Sequence, residues 1–117
     1  MINSPEQNIS YISGVADTQL ALISSGDIFS AIESARAFSS KIHERVCELC
    51  HQIFGVLPIS FQSQELTIEF LLGSRPLVAI TKNGSIHMSI ANNSLKVSIE
   101  TKHDKIERSF KELLSNV

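Results

Sequence analysis

The residues with the greatest chemical potential lie together in Cys47-Glu48-Leu49-Cys50-His51. This is the C-x-x-C-H spacing of c-type haem attachment, in which both thiols bond the porphyrin and the histidine ligates iron. Here the segment falls near the end of a long amphipathic stretch, and the first thirty residues show no export signal. Chance occurrence is the better account. His43, Cys47 and Cys50 offer a second chemistry, because steps of four and three place them on one side of a helix within about 60° of arc. Zinc takes about four ligands in a tetrahedron, of which one helix presents two or three. The remainder would come from His51, on a different side, or from His87 or His103. A packed cysteine pair fits better, since Cys50 falls on the apolar stripe of the helix, where a small thiol is commonly buried. A thioredoxin-like dithiol wants the N-terminal end of a helix, where the dipole stabilises a thiolate, and these cysteines sit near the other end.

No other group suggests a reaction. None of the serines lies in a G-x-S-x-G elbow, and the five glycines are spread singly rather than gathered in a phosphate-cradling loop. The acidic residues fall on solvated helix faces or outward strand positions, and His87 alternates outward between Ile86 and Met88. The expectation is a non-enzymatic protein without a cofactor. A net charge of −2 with scattered Lys and Arg leaves no footprint for nucleic acid or an anionic membrane. No apolar run approaches the roughly 20 residues of a membrane span. Two cysteines make no disulfide framework, so the expected location is cytoplasmic. With 117 residues, 43% of them apolar, the chain is long enough for one domain with a real core.

The elements that would carry these residues follow from periodicity. Ser4-Pro5-Glu6-Gln7 reads as a capped helix start, and Ile9, Ile12, Ala16, Leu20 and Ile23 recur at helical spacing up to Gly26, giving a helical segment over 1–26. Asp27 caps a long helix over 27–55, whose stripe of Ile28, Ile32, Ala35, Ile42, Val46, Leu49 and Ile53 is interrupted only where Ser39 sits. Residues 56–100 then change to a period of two. Strands are expected over Val56–Phe61, with Pro58 marking an edge, Leu66–Leu72, Leu77–Ile80, Ile86–Ile90 and Leu95–Ile99. Asn83-Gly84 predicts a hairpin with both residues at the centre of the turn. Residues 101–117 read as a terminal helix, with Ile106, Phe110, Leu113, Leu114 and Val117 on one face. The expected fold is a single α+β domain: two N-terminal helices, a five-stranded antiparallel meander and a C-terminal helix.

This pattern carries more apolar surface than one core face requires. Phe29, Cys47 and Phe54 lie beside the main stripe of the long helix, and Phe38 joins them as a candidate contact. Leu71 points away from the core face of its expected strand, as does one of the pair Val78 and Ile80. Two accounts stand open: a core wrapped from both sides, or an exposed apolar strip that receives a partner protein or a second copy of the chain. Open edge strands also invite strand addition. On the second account the partner-binding residues are Phe29, Phe38, Cys47, Phe54, Leu71, Val78 and Ile80.

The passage from Val46 to Asn93 is similar in plan to the small cytoplasmic chaperones of bacterial type III secretion. The shared features are an amphipathic helix ending in a Gly-Leu-Pro-like connection, here Phe54-Gly55-Val56-Leu57-Pro58-Ile59, and a following strand, here Leu66-Thr67-Ile68-Glu69-Phe70. Within that family the short chain resembles the chaperones of the secretion gatekeeper. The resemblance covers less than half of the chain. Family members usually insert a helix after the third strand, whereas Ile80 to Ile99 reads as continuous hairpins. It implies a protein that performs no reaction but holds a gatekeeper or effector competent for export. Gly84 to Val117, two alternating strands and an amphipathic helix, is similar instead to the C-terminal domain of the substrate-switch proteins that control needle or hook length. A small zinc protein built on His43, Cys47 and Cys50 is the alternative of another class.

Overall fold

The computed structural model describes residues 3–91 and 94–101, together with the backbone of 105–109. Two helices open the chain, α1 (Pro5–Ser24) and α2 (Ile28–Phe54). Ser4 starts α1 with the expected capping box: its hydroxyl accepts from the Gln7 amide, and the Gln7 side chain accepts from the Ser4 amide. Asp27 caps α2 by accepting from the Ser30 amide at 3.1 Å. The two helices pack on each other. Buried Ala16, Ala31 and Ala35 keep that interface thin, and Ile9, Ile12, Val15, Ile42, Val46 and Leu49 fill it and the core beneath.

A polar clasp also joins these helices. Asn8 is fully buried on α1, and its amide donates to Gln52 at 3.0 Å and Glu48 at 3.3 Å, while Arg45 donates to its oxygen at 3.2 Å. Arg45 lies over the Tyr11 ring, 4.4 Å from its centroid. Partial desolvation pushes the Glu48 carboxyl up, but hydrogen bonds from Asn8 and Asn3 and the nearby Arg45 charge outweigh it, holding Glu48 below its ordinary range. A carboxylate depressed in the folded state contributes stability above its unfolded value of about 4.3, and that contribution is lost as pH falls through the folded value. The variant Glu48→Gln should therefore lose less stability than the parent between neutral pH and pH 3. Urea midpoints at both pH values read the difference, and equal acid losses would remove the clasp from the account.

Beyond α2 come β1 (Ser60–Phe61), α3 (Glu65–Leu71), β2 (Leu77–Thr81), β3 (Gly84–Ala91), β4 (Ser94–Thr101) and β5 (Lys105–Ser109). The strands form one antiparallel sheet in sequence order, a meander with β1 at one edge. Leu77, Ala79, Ile86, Met88, Leu95 and Val97 make its buried face, and all three helices pack with the strands around the same core. The α+β class is as expected.

The strand expected over Val56–Phe61 is confined to Ser60–Phe61, and three further expectations change. The strand expected over Leu66–Leu72, from its alternation and from the family resemblance, is the helix α3. Leu66 and Phe70 are four apart and serve a helical face as well as a pleated one, so a segment this short fits either period. Its ends decide. The Ser63 hydroxyl accepts from the Leu66 amide at 3.0 Å, and beyond Leu72 the amides of Gly73 and Ser74 bond the carbonyls of Phe70 and Glu69 at 2.9 and 2.8 Å. This is a Schellman ending, and Gly73 supplies its left-handed residue at φ 76°. The second change concerns the hairpin, whose central residues are Lys82 and Asn83 rather than Asn83 and Gly84, since Thr81 pairs with Gly84. The Thr81 hydroxyl accepts from the amides of Asn83 and Gly84 and donates to the Gly84 carbonyl, closing the turn from inside. Third, Lys105–Ser109, where the expected terminal helix begins, is a strand that pairs with β4 and satisfies its backbone edge. Thr101 of that expected helix ends β4 instead, and its residues 102–104 and 110–117 lie outside the described residues, as do the turn residues 92–93.

Candidate functional site

The cysteine–histidine cluster does not assemble. The His43 Nδ1 lies 3.9 Å from the Cys47 sulfur, and the His43 ring tilts against Phe61 with centroids 4.1 Å apart. Cys50 turns into the core instead, fully buried in the cluster that includes Val46, Leu49 and Phe70. No group of three or more His, Cys, Asp or Glu residues able to hold a metal occurs among the described residues. Both thiols are free. Burial pushes the Cys50 thiol up to about 12, assisted by Cys47, and burial with the Glu44 charge raises Cys47 as well. Since the thiolate is the nucleophile, both should resist alkylation. Iodoacetamide at pH 8 is expected to modify half-buried Cys47 slowly and to reach Cys50 only after denaturation. Peptide fragmentation by mass spectrometry distinguishes the two, and equal labelling of the native protein would contradict the packing.

The apolar candidates divide sharply. Phe29 is 71% exposed at the start of α2, Phe38 stands partly in solvent, and Ile80 is 40% exposed on β2. Leu71 is fully buried, a correction that follows from α3: as a helical residue it continues the face of Leu66, Thr67 and Phe70 instead of alternating outward. Val78 and Ile80 share one face of β2 by alternation, yet Val78 is buried and Ile80 is not. Cys47 is half-buried, and Phe54 packs half-buried against the core and over the β2–β3 turn. Of the seven expected contacts, Phe29, Phe38 and Ile80 remain available.

The most exposed apolar corner lies elsewhere. Leu57 and Ile59, in the connection between α2 and β1, are 60% and 73% exposed. The Ile59 amide donates to the Ile80 carbonyl at 2.7 Å, and Ser60 pairs with Ile80, which brings Ile59 beside Ile80 at the sheet edge, with Leu57 two residues earlier in the same connection. The edge strand β1 has only two residues, and it covers Ala79 and Ile80 of the five-residue strand β2. Three features hold the corner in place. Pro58 restricts the connection, Gly55 ends α2 with its amide on the His51 carbonyl, and Asn83 donates to the Phe54 carbonyl at 2.9 Å. The signal in the sequence was Leu57-Pro58-Ile59 itself, apolar residues around an edge-marking proline.

A second feature is polar. His43 borders a cleft between α2 and the start of α3, together with Arg36, Ser39, Ser40, Gln64 and Thr67. The gap at Ser39 in the apolar stripe marks the α2 side of this cleft.

No helix among the described residues is long and apolar enough to cross a membrane. No protein-family model, curated protein or solved structure matches the chain.

Proposed function

We propose that the chain is a non-enzymatic protein-binding module that receives a partner protein at the sheet-edge corner of Leu57, Ile59 and Ile80. The exposure of these three large side chains beside a two-residue edge strand carries the reading. Single exposed apolar residues are ordinary on a surface, whereas a group of them beside an open strand is a docking signature. An extended segment laid along β1 would gain main-chain hydrogen bonds, and the corner would supply the apolar contacts. Complete burial of one such side chain is worth up to about 1.5–3 kcal/mol, so three suffice to anchor a segment. In its most specific form the module is a cytoplasmic chaperone or adaptor for a type III secretion substrate or gatekeeper. The helix-to-Leu57-Pro58-Ile59 connection that founds the resemblance is also the corner that would do the work.

A photo-crosslinking residue at Ile59, expressed in the source organism, tests this directly. One discrete crosslinked protein is expected from Ile59 and none from Asp17, an exposed position on α1. A client secreted by the same organism would support the export role. Crosslinks of equal yield and identity from both positions, or none from Ile59, would end the proposal.

A further inference from the structure

Arg36, Ser39, Ser40 and His43 recur at steps of three and four and so share one stripe of α2. With Gln64 and Thr67 from the start of α3 they line a cleft of about 280 Å³. Every lining residue is polar, and none is acidic. Their side chains are also unoccupied to an unusual degree. The ion pair among the described residues is Arg75 with Glu69, and neither residue lines the cleft. Among the described residues the side chains of Arg36, Ser39, Ser40, Gln64 and Thr67 make no hydrogen bond, and His43 engages only Cys47 and the Phe61 ring.

Thr67 is the informative member. It is 1% exposed, and its hydroxyl is buried without a hydrogen-bond partner. Such a group loses its water on folding and gains nothing in return, so a valine of the same shape would suit the free chain better. Thr67 borders the cleft, so a ligand there that shifts this side chain slightly would complete the bond its hydroxyl lacks.

We propose that this cleft binds a small oxyanion, a phosphate or carboxylate group. Guanidinium, hydroxyl, amide and imidazole can all donate, and an ionised oxyanion only accepts. The planar fork of Arg36 matches two oxygens of such a group, and Ser39, Ser40, Gln64 and Thr67 line the same cleft as further possible donors. The volume lies near the lower end of ligand sites, roughly 300–1,000 Å³, which suits one such group with a few attached atoms rather than a nucleotide. This site is independent of the apolar corner and would stand if the corner bound nothing.

Titration of the ¹⁵N-labelled full chain with sodium phosphate and, separately, with sodium succinate tests it, with sodium chloride at matched ionic strength as control. Saturable shifts are expected in the amides of residues 36–43 and 64–67 with at least one oxyanion and not with chloride. The variant Arg36→Ala should weaken binding roughly tenfold or more, Arg36→Lys less, and Thr67→Val roughly threefold. A response to phosphate alone assigns phosphate esters, a response to succinate alone assigns carboxylates, and a response to both assigns their common chemistry. Arg36 is exposed, so its variants should fold as the parent does. No saturable change with either anion, or a change that Arg36→Ala leaves untouched, overturns the assignment.

Discussion

Truncating Phe70 to alanine is expected to remove about 3–5 kcal/mol of stability, a large share of the 5–15 kcal/mol available to a domain of this size. Phe70 is the largest of the fully buried side chains and sits on α3, within the cluster that joins Leu49 and Cys50 of α2 to Leu77 and Met88 of the sheet. A seven-residue helix is far too short to persist by its own hydrogen bonds, so α3 exists because Leu66, Phe70 and Leu71 are buried. The loss combines the lost transfer of the ring and the cavity left among neighbours held by three other elements. Urea unfolding measures it, with Ile80→Ala as a partly exposed comparison that should cost well under half as much. A loss below about 1 kcal/mol for Phe70→Ala would mean that the segment is not packed as described. The variant also bears on the cleft. Gln64 and Thr67 ride on the first turn of α3, so any fraction of Phe70→Ala that remains folded should bind oxyanions more weakly.

That helix also marks where the sequence stopped being legible. Over the 27 residues of α2 an incorrect period would have accumulated contradictions, and its cap, stripe and end were all readable. Over Leu66–Leu72 the two periods share Leu66 and Phe70, and the alternation of Ile68 and Leu72 favoured the strand. The deciding signals were not periodic: Ser63 three residues before Leu66, and Gly73-Ser74 after the last turn. Misreading that segment also misplaced Leu71 and hid half of the polar cleft, because Gln64 and Thr67 face it only from a helix. The α2 half was visible as an interruption at Ser39 whose purpose had no partner yet. Exposure of Leu57 and Ile59 could not be read locally, since it depends on β1 beginning only at Ser60. Cys50 was correctly placed in the core from its position on the stripe.

Substituting Gly84 with alanine should cost about 2–5 kcal/mol, although a strand start next to a turn would ordinarily tolerate the change. A Cβ at this position would run into the Glu100 carbonyl oxygen and would stand 2.6 Å from Cε1 of Phe54. The backbone φ of 157° adds strain, since side-chain-bearing residues rarely adopt it. The Phe54 ring can swing away, but the Glu100 oxygen belongs to β4, where Glu100 pairs with Ser85 and Thr101 with Gly84, so moving it disturbs the register of two strands. Most of the cost should therefore persist in a Phe54→Leu background, and a double-mutant cycle by urea unfolding measures the part that the ring contributes. A cost within 0.5 kcal/mol, as for an unconstrained surface position, would exclude the close approach. The consequence extends to function. Gly84 lies where the β2–β3 turn meets the end of α2, the same junction that Asn83 ties to the Phe54 carbonyl. Leu57 and Ile59 leave from that junction, and Ile80 enters it. Folded Gly84→Ala protein should then lose partner crosslinking at Ile59 while retaining oxyanion shifts at Arg36, because the cleft depends on α2 and α3 and not on this turn.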